Sequence, residues 1–345
     1  MKKKELGQYY TRNASYIFNG LLEIYPDRCI IVDPFAGEFD LLNLIKDSHP
    51  IEAYDIDPKI EGTIHQDTLL NPPDYKGKWI LTNPPYVARN LSKDKTLFDK
   101  YNLDDLYKIA LNTMIGCEGG SIVIPLNFFS NDRSVIRERF LSQYKIVRLN
   151  IFEEQVFDDT AYTVCSFSFV RSDNRIKEQI IDTYFYPRKK NHQIKISEEY
   201  GYMIGGDFFF RMMGEDDLGL SRLLKGGKPN SKLFLRAIDG GSPENKISLQ
   251  IAEPFYGIKS DRVFASIVLP DNITLSLQQQ KEICEEFNSL INRKREEFNS
   301  LFLTNFRNSS KTYARKRISF NLAYGIISYL IKRKLHIRKK VKPLF

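Results

Sequence analysis

The tetrad Asn83-Pro84-Pro85-Tyr86 is the most informative chemical signal in the chain. Two consecutive prolines lack N–H donors and fix their φ angles, so the segment cannot continue a strand ladder and holds the Asn83 amide and the Pro84 carbonyl in set directions. Both groups accept hydrogen bonds. If they received the two protons of an exocyclic amino group, they would draw its lone pair out of ring conjugation and aim the nitrogen at an electrophile. Tyr86 would then stack on the attached ring. A rigid turn that merely closes a strand would use the same four residues, so the weight rests on what surrounds them.

Three further segments upstream have the same placement, just after an expected strand: Asp33-Pro34-Phe35-Ala36-Gly37, Asp55-Ile56-Asp57-Pro58 and Gln66-Asp67-Thr68. Gly37 allows a tight turn with close backbone approach, and Asp55, about 20 residues past the first strand, is placed to accept hydrogen bonds from ribose hydroxyls. Taken alone, Asp33 reads equally as a carboxylate that caps its own loop. The segment lacks G-x-G-x-x-G, so a dinucleotide pyrophosphate is not indicated. An acidic rim suits a cofactor with a positive charge and free hydroxyls, and S-adenosylmethionine has that chemistry.

These segments must be positioned by a sheet. Residues 29–35, 51–56, 78–82, 121–129, 145–152 and 163–171 read as strands, and 41–46, 103–114 and 133–144 carry helical spacing of apolar residues. Strands alternating with helices predict a mostly parallel sheet covered on both faces, a doubly wound α/β domain over residues 1–185. Ligands of such sheets bind outside the carboxyl ends of the strands, where all four segments lie. Pro187 to His192 is a charged break, and 186–345 is expected to be a second, more irregular domain. Helical spacing returns after Ser276 and again from Ser319 to Lys334.

With these motifs in this order, residues 6–171 resemble the gamma-class N6-adenine DNA methyltransferases of type II restriction-modification systems. Gly7-Gln8-Tyr9-Tyr10-Thr11 is similar to the family segment that packs over the cofactor, and Val156-Phe157-Asp158 to the motif whose aromatic ring covers the target base. The resemblance implies a Rossmann-like class I methyltransferase domain with a seven-stranded sheet, followed by a mixed target-recognition domain. It implies that Tyr10, Thr11, Asp33, Phe35, Gly37, Asp55, Ile56, Asp67, Thr68 and Asn83 surround S-adenosylmethionine, Asp55 taking the ribose and Asp67 the adenine amino group. Asn83, Pro84, Pro85 and Tyr86 would be catalytic, and Tyr86 and Phe157 would sandwich an adenine flipped out of double-stranded DNA. No metal is required. A cognate restriction endonuclease would be a separate chain. One departure stands out: Phe39 occupies the position of the family's second loop glycine, where its bulk would narrow the methionine pocket.

Composition fits this reading without demanding it. The 345 residues, 42% hydrophobic and 27% charged, exclude a disordered or disulfide-dense chain. Residues 301–345 contain 12 Lys or Arg and no Asp or Glu, so the net charge of +8 comes wholly from this end. Such asymmetry suggests a polyanion partner, with Arg315, Lys316 and Arg317 as DNA-backbone contacts and Tyr313, Phe320, Tyr324 and Tyr329 nearby. Arg236, Lys246, Lys259 and Arg262 are further basic candidates. Four scattered cysteines and four histidines suggest neither a zinc site nor a disulfide framework, and with no signal or membrane-spanning segment a cytoplasmic location is expected. Rival readings are an RNA adenine or protein glutamine methyltransferase, an inactive DNA-binding module, and a fused nuclease built on Asp239, Glu244 and Lys246.

Overall fold

The structure is a computed structural model that describes residues 11–130, 134–158, 160, 162–215, 218–225, 227–242, 245–252, 261, 263–305 and 314–337. Tyr10 with the preceding Gly7 to Tyr9, and Glu244, Lys259, Arg262 and Tyr313, lie outside these residues. The chain divides into two compact units between Met203 and Ile204. Residues 186–203 therefore group with the sheet domain, because the charged break at Pro187 is the turn of a hairpin.

The first unit is a doubly wound, Rossmann-like α/β fold. Its strands are β1 (Ile31–Asp33), β2 (Ile51–Asp55), β3 (Ile64–His65), β4 (Trp79–Thr82), β5 (Gly119–Pro125), β6 (Tyr144–Phe152), β7 (Val164–Arg171), β8 (Glu178–Tyr186) and β9 (Lys190–Ser197). They form one sheet in the order β3-β2-β1-β4-β5-β7-β6-β8-β9. The pairs β1–β2, β2–β3, β1–β4, β4–β5 and β6–β8 are parallel, whereas β7 runs antiparallel to both β5 and β6. The sheet has nine strands rather than seven, since β8 joins β6 and β9 pairs back on β8.

Every residue of β5 is buried, as a central strand of a sheet covered on both faces requires. Around the sheet lie α1 (Ala14–Ile17), α2 (Thr96–Tyr101), α3 (Leu106–Thr113) and α4 (Val135–Leu141). Expected elements are shortened at their ends. Residues 126–128 form a 3₁₀ turn instead of extending β5, and the helix expected over 41–46 is a 3₁₀ turn at Leu42–Leu44.

From β1 the chain moves outward to β2 and β3, then returns across β1 to β4 and β5 on the other side. The strand order thus reverses between β1 and β4, and this switch point opens a crevice at the carboxyl ends of both strands.

The second unit holds α5 (Gly206–Met213), a four-stranded sheet, a two-stranded ribbon and two long helices. The sheet comprises β10 (Ser221–Arg222), β11 (Leu233–Arg236), β12 (Ser248–Ile251) and β13 (Phe264–Val268), in the order β10-β13-β11-β12. Next come α6 (Leu277–Glu297), β14 (Thr304–Asn305), β15 (Lys316–Arg317) and α7 (Phe320–Lys334). Ser276 opens α6 with a capping box completed by Gln279, and Ser319 caps α7 through the Leu322 amide, so both helix starts follow from local sequence. Among the described residues, no helix is long and apolar enough to cross a membrane.

Candidate active site

A cavity of about 640 Å³ lies at the switch point of the first unit. Its wall includes Thr11, Asp33, Phe35, Gly37, Asp55, Ile56, Asp67, Thr68, Asn83, Pro85 and Tyr86. Eleven residues singled out from sequence therefore meet in one place. Pro84 is not part of the wall.

The loop after β1 is held by two carboxylates. Asp33 ends β1 and accepts hydrogen bonds from the Phe35 amide (3.0 Å) and from the Thr82 hydroxyl at the end of β4 (2.7 Å), so it ties the two strands of the switch point together. Burial pushes its carboxyl up to about 7, against the hydrogen bonds from Thr82 and Phe35. Asp55 ends β2 and accepts from the Gly37 amide (2.9 Å) and the Asp57 amide (2.8 Å). Gly37, at φ +49°, takes the left-handed turn that aims its N–H at Asp55. Thr68 donates to the Pro34 carbonyl at 2.9 Å, and Asp67 caps its own turn through the Leu69 and Leu70 amides.

The tetrad sits on the opposite wall. Its amide is clamped from both ends: Asn83 Nδ2 donates to Thr11 Oγ1 at 3.1 Å, and Asn83 Oδ1 accepts from the Tyr86 hydroxyl at 2.6 Å. In this arrangement the oxygen end of the amide faces Tyr86 and the nitrogen end faces Thr11. Thr11 in turn lies on a segment stitched to the sheet, where Ser166 Oγ and Asn150 Nδ2 both donate to the Ile17 carbonyl.

Tyr86 is buried, 2% exposed, and three rings meet it edge-on: Tyr107 at 6.4 Å, Phe157 at 6.5 Å and Tyr162 at 6.4 Å between centroids. With no base between them, the Tyr86 and Phe157 rings meet edge to face. Their planes cross at 68°, Phe157 is buried, and it is not part of the cavity wall. Parallel rings with room for a base between them would be needed for a sandwich. Tyr162, exposed and in the wall, is a further aromatic against Tyr86. Sequence reasoning missed it, although an aromatic immediately before β7 was a usable signal. It also missed Leu91 to Asp94 and Leu97, which close the cavity from the start of α2.

The wall carries seven carboxylates (Asp33, Glu38, Asp40, Asp55, Asp57, Asp67, Asp94) against two lysines, Lys59 and Lys93. Burial and the neighbouring Glu38 raise the Asp40 carboxyl, whereas Lys59 holds Asp57 below its usual range. Phe39, which was expected to narrow the pocket, is not in the wall. It adopts φ +64°, the left-handed region that favours glycine.

The other expected DNA contacts lie in the second unit. Lys316 turns inward: its ammonium bonds Asn305 Oδ1 and its amide donates to Asp239 Oδ2 at 2.9 Å. It is 8% exposed and presents no charge to solution. Arg315 and Arg317 are half-buried beside it, and Arg315 Nε donates to the Asp239 carbonyl at 2.6 Å. Lys332, Arg333 and Lys334 pair with Glu215, Glu286 and Glu282 respectively. Asp239, fully buried, accepts both guanidinium nitrogens of Arg295 at 2.9 Å and the Ile247 amide at 2.9 Å, which makes it a structural hub and removes it as a nuclease ligand. Lys246 is exposed. Among the described residues no cluster of His, Cys, Asp or Glu is arranged to hold a metal ion.

No protein-family model matches the chain, and no curated protein matches it in sequence. Solved structures do resemble it. A chain of a type I restriction-modification system shares 13% identity over 61% of this chain and 51% of its own, with TM-score 0.42. The type I restriction-modification methyltransferase subunit from Streptococcus thermophilus shares 15% identity over 54% of this chain and 50% of its own, with TM-score 0.39. The type IIL restriction-modification enzyme MmeI, solved in complex with DNA, shares 12% identity over 96% of this chain and 73% of its own, with TM-score 0.40. The chain spans about half the length of the two type I chains.

Proposed function

We propose that the protein is an S-adenosylmethionine-dependent DNA methyltransferase that modifies the 6-amino nitrogen of adenine at a specific site. The observation that carries this reading is the Asn83 amide, clamped between Thr11 and Tyr86 at the switch point, in the same cavity as the carboxylates of Asp33, Asp55 and Asp67.

The residues present fit the cofactor. A cavity of about 640 Å³ falls within the roughly 300–1,000 Å³ usual for small-molecule sites. Its carboxylate excess favours a cationic ligand, while Phe35, Ile56 and Leu69 supply apolar wall for a purine. Each ionised carboxylate offers about four lone-pair positions, so Asp55 and Asp67 can accept from a ribose and an amino group in addition to the backbone amides they cap. When bound, S-adenosylmethionine supplies an electrophilic methyl group.

The chain's own residues prepare the acceptor nitrogen. Asn83 Oδ1 receives one of the amino protons, which loosens the lone pair from the purine ring and leaves it directed at the methyl carbon. As the nitrogen lone pair forms the new N–C bond, the bond from the methyl carbon to sulfur would break with its electron pair left on the thioether product, and the nitrogen would then give one proton to solvent. Tyr86 forms the inner wall for the base, and Tyr162 covers it from the mouth, in the role that sequence gives to Phe157. An adenine paired in a duplex cannot reach this cavity, so it must be extruded, and the stacking offsets an unstacking cost of a few kcal/mol.

The second unit is assigned to target recognition. A setting in a restriction-modification system, with a cognate endonuclease on a separate chain, rests on the motif resemblance. The test is transfer of a labelled methyl group from S-adenosylmethionine to mixed-sequence duplex DNA, with mapping of the modified bases. Methyl-adenine confined to one short motif is expected. Bound cofactor with transfer only to RNA or protein would overturn the DNA assignment.

A further inference from the structure

Three helices of the second unit converge on a groove of about 540 Å³. Helix α5 contributes Arg211, α6 contributes Ser289, Arg293 and Lys294, and α7 contributes Arg333. Ser289 and Arg293 lie four positions apart and so share one face of α6. The floor is rigid, because α7 crosses α5 at Gly325, where a Cβ would come within 1.9 Å of the Met212 carbonyl oxygen.

The cations fall into two sets. Lys294 is fixed between the Phe208 and Phe298 rings (5.3 and 5.2 Å) and paired with Glu297 at 2.6 Å, and Arg333 is paired with Glu286 at 3.0 Å. Arg211 and Arg293 are exposed and form no ion pair among the described residues. Glu285 and Glu286 also line the groove, Glu286 being held by Arg333 and Lys334, so four cations face two carboxylates. The two unpaired guanidiniums remain available to anionic oxygens, and each planar fork matches a phosphate bidentately. The Ser289 hydroxyl, also in the groove wall, adds a donor.

The geometry points to this groove as a phosphate-binding site that grips the backbone of duplex DNA, through Arg211 and Arg293. The assignment rests on the DNA reading above. It replaces the Arg315 to Arg317 segment, whose central lysine is buried, as the main backbone contact of the second unit.

The test is fluorescence anisotropy of the full chain with a labelled mixed-sequence duplex over a series of salt concentrations. The Arg211→Gln/Arg293→Gln variant should bind about tenfold or more weakly at low salt, with a log–log salt slope shallower by about two. Its S-adenosylmethionine binding should be unchanged, which checks the fold. An Arg211→Lys/Arg293→Lys variant should keep the slope and lose part of the affinity, since it retains charge without the fork. Wild-type affinity and slope in the glutamine variant would overturn the groove while leaving the DNA reading intact. A wild-type protein that fails to bind duplex DNA, or that binds only RNA, would overturn both.

Discussion

The Tyr86 hydroxyl lies 2.6 Å from Asn83 Oδ1 and 2.7 Å from the Val123 carbonyl of β5. One proton serves two acceptors, so the same group that orients the amide also anchors the ring to a strand buried along its whole length. Orientation of Asn83 thus depends on Tyr86, and both depend on the sheet.

That dependence separates two substitutions. Asn83→Ala should lower kcat for methyl transfer by roughly 10²–10³, the usual cost of removing a preorganised polar group that acts on the reacting atom. Tyr86→Phe keeps the ring but leaves Oδ1 and the Val123 carbonyl without the shared proton, worth about 1–3 kcal/mol, and should lower kcat about tenfold. In Tyr86→Phe the affinity for S-adenosylmethionine, measured by calorimetry, should change little. A Tyr86→Phe enzyme with wild-type kcat would show that the hydroxyl does not position the amide.

Phe39 holds a left-handed backbone that a side chain disfavours by roughly 1–2 kcal/mol. Phe39→Gly relieves this at an entropic cost of similar or smaller size. Unfolding by urea should therefore show unchanged stability or a gain of up to about 1 kcal/mol. Cofactor affinity should not move, because Phe39 is outside the cavity wall. A clear loss of either would mean that its side chain supports the loop.

Much of this was legible in the sequence, for physical reasons that also mark where reading stopped. Asp33, Asp55, Asp67 and Asn83 announce themselves because each follows a strand, and the doubly wound topology sends every such position to one crevice. What needed the fold were long-range relations without a local period. Tyr162 and Phe157 are five residues apart, and of the two Tyr162 reaches the cavity. Strand β9 reads as a polar stretch, since an edge strand exposes alternate residues and its hairpin turn carries the charges of Arg188 and Lys189. The basic C-terminus was visible as charge. Its ion pairs with Glu215, Glu282 and Glu286 were not, because the partners lie tens of residues or more away in sequence.

Asp33 and Asp105 give stability a pH dependence. Burial raises both carboxyls from the ordinary 3.8 to about 7, and Asp105 Oδ1 has no hydrogen-bond partner among the described residues. A carboxyl whose folded value is raised binds its proton more tightly in the native state. Its contribution is fully present below about pH 4 and is lost as pH rises through about 7. Asp105→Asn removes one such group, so thermal melts should show the variant gaining on wild type between pH 5 and pH 8, by a few kcal/mol at most. A stability difference independent of pH would sink the assignment.

Helix crossing in the second unit depends on a single missing methyl group. A Cβ at Gly325 would lie 1.9 Å from the Met212 carbonyl oxygen, and that oxygen is backbone and cannot rotate away. Gly325→Ala must push α7 off α5, at a cost of about 1–3 kcal/mol or more. Its melting temperature should fall by several degrees, and a variant as stable as wild type would place the two helices farther apart.

Asp239 supports the last expectation. Burial alone would raise its carboxyl, yet the Arg295 guanidinium and the Ile247 and Lys316 amides hold it below the ordinary range, so it is ionised and fully paired. Arg295→Ala would leave that charge buried with amides only, and loss of one partner of a buried pair typically costs about 3–5 kcal/mol. The same change leaves the cavity of the first unit untouched. Denaturation by urea should show the loss, while S-adenosylmethionine binding below the transition persists. If Arg295→Ala instead abolished cofactor binding with the fold intact, Arg295 would have to act beyond the second unit, and Asp239 could not be read as a purely structural hub.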